Sequence, residues 1–217
     1  TESIRPERTA VHEIEVGHRL PEKGYLTLSL FDQRIRDPII FSQDQIDEFT
    51  YYNNPTLHSY GTELQYIYRT GRFSLQANYS WTRSNDDALP VYDVPGQSGQ
   101  FIGAPAQVGN VWLSTPTPID RLTAMLGTRY VGSRRALDYD AGLAITQPDF
   151  PLSMQRLDAE LTFNAALRYD IRNTSLTLGV DNLTDEEQRM PQPYSGFSTP
   201  FPFGSLAVWL RAEFAWR

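Results

Sequence analysis

The sequence contains no cysteine and no long hydrophobic run. The absence of cysteine among its 217 residues excludes disulfides, thiolate metal sites and cysteine nucleophiles. It also lacks the run of about 18 apolar residues that a transmembrane helix requires, so such a helix is excluded. Strands that alternate apolar and polar residues escape this test, and the mean hydropathy of -0.44 therefore does not exclude a membrane protein.

Basic residues and histidines are also scarce. The formal charge of -7 argues against a nucleic-acid partner, because neutralising phosphates needs a basic surface. The three histidines, His12, His18 and His58, form no i, i+4 metal pair. The acids at 86–87 and 185–187 are typical of solvated loops, since calcium wants about six oxygens from a shaped loop. We therefore predict no catalytic site, no metal site, no cofactor and no enzymatic activity.

What the chain does contain is strand periodicity, which is clearest at its end. One parity of the last run is wholly apolar: Leu206, Val208, Leu210, Ala212, Phe214 and Trp216. A soluble sandwich rarely ends in so long an alternating run, whereas a tilted strand needs about 9–11 residues to cross a bilayer. This pattern favours an all-β, antiparallel outer-membrane barrel.

The same reading along the chain predicts nine strands. They cover residues 10–20, 25–36, 60–68, 73–81, 106–114, 122–130, 157–169, 175–183 and 205–216. The connections alternate between short turns, at 21–24, 70–72, 115–120 and 171–174, and long loops, at 37–59, 85–105, 132–153 and 184–204. Outer-membrane barrels place short turns in the periplasm and long loops outside. We accordingly expect the last strand to run inward.

An odd number of strands predicts that more of the barrel lies elsewhere. Single-chain bacterial barrels have an even number, and an open sheet edge does not persist in lipid. The chain also starts at Thr1 without methionine or a signal segment. We expect an upstream portion, and a barrel completed by a segment of the same or of a separate chain.

Three motifs, in order along the chain, resemble TonB-dependent outer-membrane receptors. The stretch 180–186, V-D-N-L-T-D-E, with its aromatic and proline-rich loop and closing strand, is similar to the C-terminal end of that family. The stretch 4–9, I-R-P-E-R-T, leading into 12–17, H-E-I-E-V-G, resembles a mid-barrel segment. Asn53-Asn54 followed by Gly61-Thr62-Glu63-Leu64 resembles a strand opening of the family.

The resemblance implies an architecture and a function. Residues 1–217 would be about nine C-terminal strands of the 22-stranded, plugged type of barrel, with the N-terminal plug and earlier strands outside this chain. The receptor would bind a scarce solute, most readily a metal chelate such as a ferric siderophore, and import it with energy from the TonB system. Its partners would be the remaining barrel and plug, membrane lipid and lipopolysaccharide, and the inner-membrane energy-coupling protein.

The resemblance also points to residues that would contact the solute. Aromatic and basic side chains of the long loops suit an anionic or catecholate-like chelate, and they are Tyr51, Tyr52, Tyr92, Arg134, Arg135 and Tyr139. For each one alone, packing within a loop is the competing interpretation. Strand-end aromatics are typical of interfacial girdles, and we place Tyr79, Trp81, Trp112, Tyr130 and Trp216 there.

Two other functions remain open. One is a small outer-membrane barrel with a structural or adhesin-like role. The other is a soluble β-sandwich that acts as a binding module, in which the apolar parity would face inward. The second alternative predicts solubility without detergent.

Overall fold

The computed structural model describes most of the chain. It covers residues 4–21, 23–45, 48–71, 73–84, 100–138, 153–191 and 199–215, with the backbone alone for 41–45 and 48–50. No helix in these ranges is long and apolar enough for a membrane span.

Fifteen strands are formed within the described ranges. They are β1 (Arg8–Leu20), β2 (Gly24–Arg36), β3 (Ile39–Gln45), β4 (Glu48–Asn53), β5 (Leu57–Arg69), β6 (Ser74–Ser84), β7 (Gln107–Pro116), β8 (Leu122–Val131), β9 (Arg134–Asp138), β10 (Ser153–Leu157), β11 (Glu160–Ile171), β12 (Thr174–Asp181), β13 (Arg189–Met190), β14 (Phe201–Pro202) and β15 (Ala207–Phe214).

Nine of these strands form one antiparallel sheet, as predicted. Its order is β1-β2-β5-β6-β7-β8-β11-β12-β15, so every strand pairs with its neighbour along the chain. The other six form three small hairpins, β3 with β4, β9 with β10, and β13 with β14. The hairpins β3/β4 and β13/β14 lie in stretches that we predicted as long loops, whereas β9/β10 starts in the long loop at 132–153 and extends to Leu157, the first residue of the next predicted strand. We call the end of the strands that carries these hairpins the long-loop end, and the opposite end the short-turn end.

One face of the sheet, here the apolar face, is continuous across strands. One register row across seven of its strands contains Val16, Leu28, Leu64, Tyr79, Gly109, Tyr130 and Leu161. The side chains of this face are not covered by a second layer: Leu210 is 73% exposed and Val208 65%. A sandwich would bury them, so the sandwich interpretation is wrong for this fold.

The opposite face, the polar face, places aromatic rings over glycines. A Cβ atom on Gly127 would collide with the indole of Trp112, its register partner on the neighbouring strand. The same relation joins Trp209 to Gly179 and Phe31 to Gly61, whereas Tyr25 reaches Gly17 diagonally, because the register partner of Gly17 is Thr27. The rings thus occupy the space that the missing side chains leave open.

Trp112 was wrongly placed in the lipid girdle. It has the parity of Asn110 and Ser114 and lies on the polar face, because the space above Gly127 admits its ring. Tyr79, Trp81 and Tyr130 do lie on the apolar face, but Tyr79 is in the middle of β6 and not at a strand end as predicted. Trp216 is outside the described residues.

Strand ends are set by backbone conformation at single residues. Lys23, with φ of 77°, makes the first short turn. Asn182, with φ of 51°, ends β12 at Asp181, two residues before the predicted end. A left-handed residue cannot continue the pleated strand, and Asn tolerates this conformation better than most residues do.

Candidate functional site

The long-loop end is held together by the residues of the sequence motifs. Asn53, the last residue of β4, accepts a hydrogen bond from the backbone N–H of Arg5 at 2.6 Å. Its amide donates to the Arg5 carbonyl at 2.9 Å and to the Asp37 carbonyl at 2.8 Å. The Arg5 guanidinium lies 2.7 Å from the Asp37 carboxylate. Two motifs some 48 residues apart in sequence therefore form one structural unit.

The motif at residues 180–186 folds the last long loop. Asn182, only 3% exposed, donates from Nδ2 to the carbonyls of Glu186 at 2.9 Å and Gly204 at 3.0 Å. Its Oδ1 accepts from the backbone N–H of Glu186 at 2.9 Å. The Asp185 carboxylate accepts from the backbone N–H of Leu206 at 2.9 Å. The motif thus returns the chain to β15.

Arg134 lies beneath the loops in a buried ion pair. Its Nη2 donates to Glu160 Oε1 at 2.8 Å and to the Arg189 carbonyl at 2.6 Å, and the Arg189 N–H donates to the same Glu160 oxygen at 3.2 Å. The two side chains are 6% and 11% exposed. Nη1 of Arg134 is buried without a hydrogen-bond partner among the described residues. This cluster joins β9, β11 and β13.

The predicted solute-contact residues fall into two groups at the same end of the sheet. Tyr51, 59% exposed, and Tyr52 belong to β4, whereas Arg134 and Arg135 belong to β9. Four sheet strands, β5 to β8, lie between the two hairpins. The outer two of these strands are three strand spacings, or about 14 Å, apart. The two residues of each group are adjacent in sequence, but the two groups do not lie on neighbouring strands. Tyr92 and Tyr139 lie outside the described residues.

A cavity on the polar face was not predicted. It has a volume of about 420 Å³ and lies between Trp112 and Trp209, over β8, β11 and β12, with Gln76, Asn164, Arg168 and Asp181 in its lining. We call it the tryptophan cavity. The indole N–H of Trp209 donates to Asp181 at 3.0 Å. Alternation alone places Trp112 with Asn110 and Ser114 on the polar parity of its strand, which is the signal that the prediction of a girdle overlooked.

Charged side chains border the tryptophan cavity towards the short-turn end. Arg168 lies 2.9 Å from Asp170 and 3.8 Å from Glu213, and Arg211 lies 3.6 Å from Glu213. Indole faces bind planar or apolar groups, and guanidinium groups bind carboxylates or other anions. Here both guanidinium groups are already paired with carboxylates, so the cavity suits a planar or amphipathic group rather than an anion. Among the described residues, no group of three or more His, Asp or Glu side chains could hold a metal ion.

Several solved structures share this architecture. The chain aligns with the FrpB iron transporter from Neisseria meningitidis (TM-score 0.69, 15% identity, 98% of this chain and 32% of that chain). It aligns with the siderophore receptor PirA from Acinetobacter baumannii (0.71, 14%, 97% and 32%). It also aligns with the ferric-catecholate import receptor Fiu from K12 E. coli (0.69, 21%, 96% and 27%). At these identities the likeness concerns the fold.

By these coverages the chain spans about a third of the length of the three structures or less. None of the curated proteins matches it. The family model for the TonB dependent receptor-like beta-barrel matches residues 5–183, most of the chain. Members of this family are bacterial outer-membrane transporters and not enzymes. The chain belongs to the TonB-dependent receptors and forms part of their outer-membrane β-barrel.

Proposed function

We propose that the whole receptor imports a metal chelate, such as a ferric siderophore, across the outer membrane. Further strands close the barrel, a plug fills it, and the TonB system supplies the energy. The observation that carries the proposal is the pairing of an exposed apolar face with a polar face that contains the tryptophan cavity. Such a barrel presents its polar face to an interior through which a hydrophilic solute passes.

The names of similar structures support the choice of solute. FrpB is an iron transporter, PirA a siderophore receptor and Fiu a ferric-catecholate import receptor. The loop residues have suitable chemistry, because Tyr51 and Tyr52 offer aromatic faces and Arg135 a guanidinium near the same rim. We propose Tyr51, Tyr52, Tyr92, Arg135 and Tyr139 as the solute-contact set. Arg134, which we expected in this set, is only 6% exposed and belongs to the ion pair with Glu160.

The experiment that tests the proposal is uptake by cells that produce the whole receptor. Radiolabelled ferric catecholate, ferric hydroxamate and copper chelates are supplied singly, in strains with and without the inner-membrane energy-coupling protein. We expect saturable uptake of one chelate, lost in the strain without coupling. Equal uptake in both strains, or none for any chelate, would contradict the proposal.

Contact residues are tested by binding to the same receptor. We expect Tyr51→Ala and Arg135→Gln each to weaken chelate binding about tenfold, as loss of a stacking face or a charge-assisted hydrogen bond does. The matched control is Arg121→Gln in a short turn, where the side chain is 57% exposed. Unchanged affinity in both Tyr51→Ala and Arg135→Gln would contradict a contact site at these residues.

A further inference from the structure

Charged residues on the apolar face are gathered at one corner of the sheet. The register places Arg34 between Ala10 and His58, and Asp32 between His12 and Tyr60. Arg83 lies opposite Tyr60, and Arg8 opposite Arg36. This corner at the long-loop end, which we call the basic corner, contains four arginines, two histidines and one carboxylate: Arg8, Arg34, Arg36, Arg83, His12, His58 and Asp32.

The rest of the apolar face has no comparable charge. On β7, β8, β11, β12 and β15, the apolar parity of the described residues contains no charged side chain. At the short-turn end, the same parity presents Leu20, Tyr68, Tyr169 and Phe214. The basic corner is therefore a local feature and not a ring around the sheet.

Asp32 organises part of the corner. Its carboxylate lies 2.5 Å from His58 Nε2 and 3.4 Å from Arg34 Nε. Arg34 nevertheless remains 58% exposed, and Arg8, Arg36 and Arg83 are exposed as well. One carboxylate cannot neutralise four guanidinium groups, so the corner keeps an excess of positive charge on a face that meets lipid.

An aromatic layer and a groove follow in order below the charges. Tyr60 and Trp81 pack edge to face with their rings 6.0 Å apart. Beneath them lies a groove of about 280 Å³, between Leu64, Tyr79, Tyr130 and Leu161, with Gly109 in its lining. Arg83 and Tyr79 are on one strand, and the four residues between them span about 14 Å.

We propose that the basic corner and this groove bind the lipid A part of lipopolysaccharide. The arginines hold its phosphates by charge-assisted, bidentate hydrogen bonds. Tyr60 and Trp81 lie at the level where the polar headgroup meets the acyl region, and one acyl chain occupies the groove. The order of charge, aromatic ring and apolar groove matches the order of phosphate, sugar and acyl chain.

The position of the corner selects this lipid over a phospholipid. Outer-membrane barrels place their long loops outside, so the corner lies at the outer leaflet, where lipopolysaccharide resides. A phosphatidylglycerol of the inner leaflet would meet the short-turn end. The apolar parity at that end offers aromatic and aliphatic residues but no guanidinium group on the described strands.

The test uses the whole receptor purified in detergent from outer membranes. We compare Arg34→Gln/Arg83→Gln with a double variant of equal charge change in two short turns, Arg121→Gln/Arg172→Gln. Native mass spectrometry counts the lipopolysaccharide that remains bound to each. We expect the corner variant to lose about tenfold in bound lipopolysaccharide and the turn variant to retain it. Equal retention in the two variants would overturn the proposal.

A second measurement separates the headgroup from the acyl chain. Thermal shifts of the delipidated receptor are recorded with lipid A, dephosphorylated lipid A and phosphatidylglycerol. We expect only lipid A to raise the melting temperature, and Gly109→Leu, which fills the groove, to reduce that shift while the receptor stays heat-modifiable on gels. An equal shift with phosphatidylglycerol, or an unchanged lipid A shift in Gly109→Leu, would refute the site.

Discussion

Single side chains determine how the chain leaves and re-enters the sheet. Asn53 fixes the segment before β1 to the end of β4, and Asn182 closes the loop before β15. In each case an amide uses both its donor and its acceptor on backbone groups that no strand satisfies. Buried backbone groups without partners are costly, which explains why these positions need an amide.

Replacing Asn182 tests this role. In Asn182→Ala the part-buried Glu186 N–H loses its side-chain acceptor, which costs on the order of 1–3 kcal/mol, and the Gly204 carbonyl keeps only its bond from Gln188 Nε2. We expect the last long loop to become sensitive to limited proteolysis. Asn182→Gly relieves the left-handed backbone but restores no hydrogen bond, so it should be equally sensitive. Protection in Asn182→Gly would show that conformation alone matters.

The glycines under aromatic rings provide a second test at this scale. Gly127→Ala places a methyl group against the Trp112 indole, and overpacking of this kind costs about 1–3 kcal/mol. We expect a lower unfolding temperature, recovered in Gly127→Ala/Trp112→Ala. Gly109→Ala is the control, because a Cβ atom there lies 3.5 Å from its nearest neighbours. Equal losses in the two single variants would rule out the ring contact as the cause.

At the scale of elements, the small hairpins build the long-loop end from strand-like pieces. β9 and β10 pair with each other within the connection between β8 and β11. β13 and β14 pair in the same way within the last long loop. The four hydrophobic residues buried in the described chain all lie at this end: Ile40, Val131, Ala136 and Leu157. The described part of the sheet has no comparable core. The packing at the long-loop end therefore resembles the core of a soluble protein, and the packing of the sheet does not.

The buried ion pair between Arg134 and Glu160 should hold these elements together. Removing one partner leaves an uncompensated buried charge, which costs about 3–5 kcal/mol. We expect Glu160→Gln and Arg134→Met each to destabilise the long-loop end, measured as faster hydrogen exchange in β9 and β13. The double variant Arg134→Met/Glu160→Met should exchange more slowly than either single one. If it exchanges faster, the ion pair is not the main link.

At the scale of the whole molecule, the two faces of the sheet meet different surroundings. The apolar face presents large hydrophobic side chains without a covering layer, and the polar face presents the tryptophan cavity and its ion pairs. An arginine near the bilayer midplane on the lipid side costs about 2–4 kcal/mol in outer-membrane barrels. Consecutive residues of one strand should therefore respond in opposite ways.

Leu126 and Met125 on β8 make this comparison. Leu126 lies on the apolar face and is 54% exposed, whereas Met125 lines the tryptophan cavity. We expect Leu126→Arg to reduce the amount of heat-modifiable receptor in outer membranes, and Met125→Arg to assemble as the parent does. A defect in Met125→Arg with normal assembly of Leu126→Arg would reverse the assignment of the faces.

The sequence by itself determined the number of sheet strands, their approximate ends and the apolar parity. Each of these is a local, periodic property: side chains alternate along a strand, and turns require particular residues. The hairpins β3/β4 and β9/β10 escaped prediction because the run Ile39-Ile40-Phe41 does not alternate and because β9 and β10 are short.

Only the tertiary structure decided which distant residues meet. The bonds between Arg5 and Asn53, the cluster of Arg134, Glu160 and Arg189, and the ring of Trp112 over Gly127 all depend on register or on loop closure. Register is a relation between strands, and shifting it by one residue exchanges the two faces. No pattern along a single strand contains that information, so the rim contacts, the tryptophan cavity and the basic corner became visible only in the folded sheet.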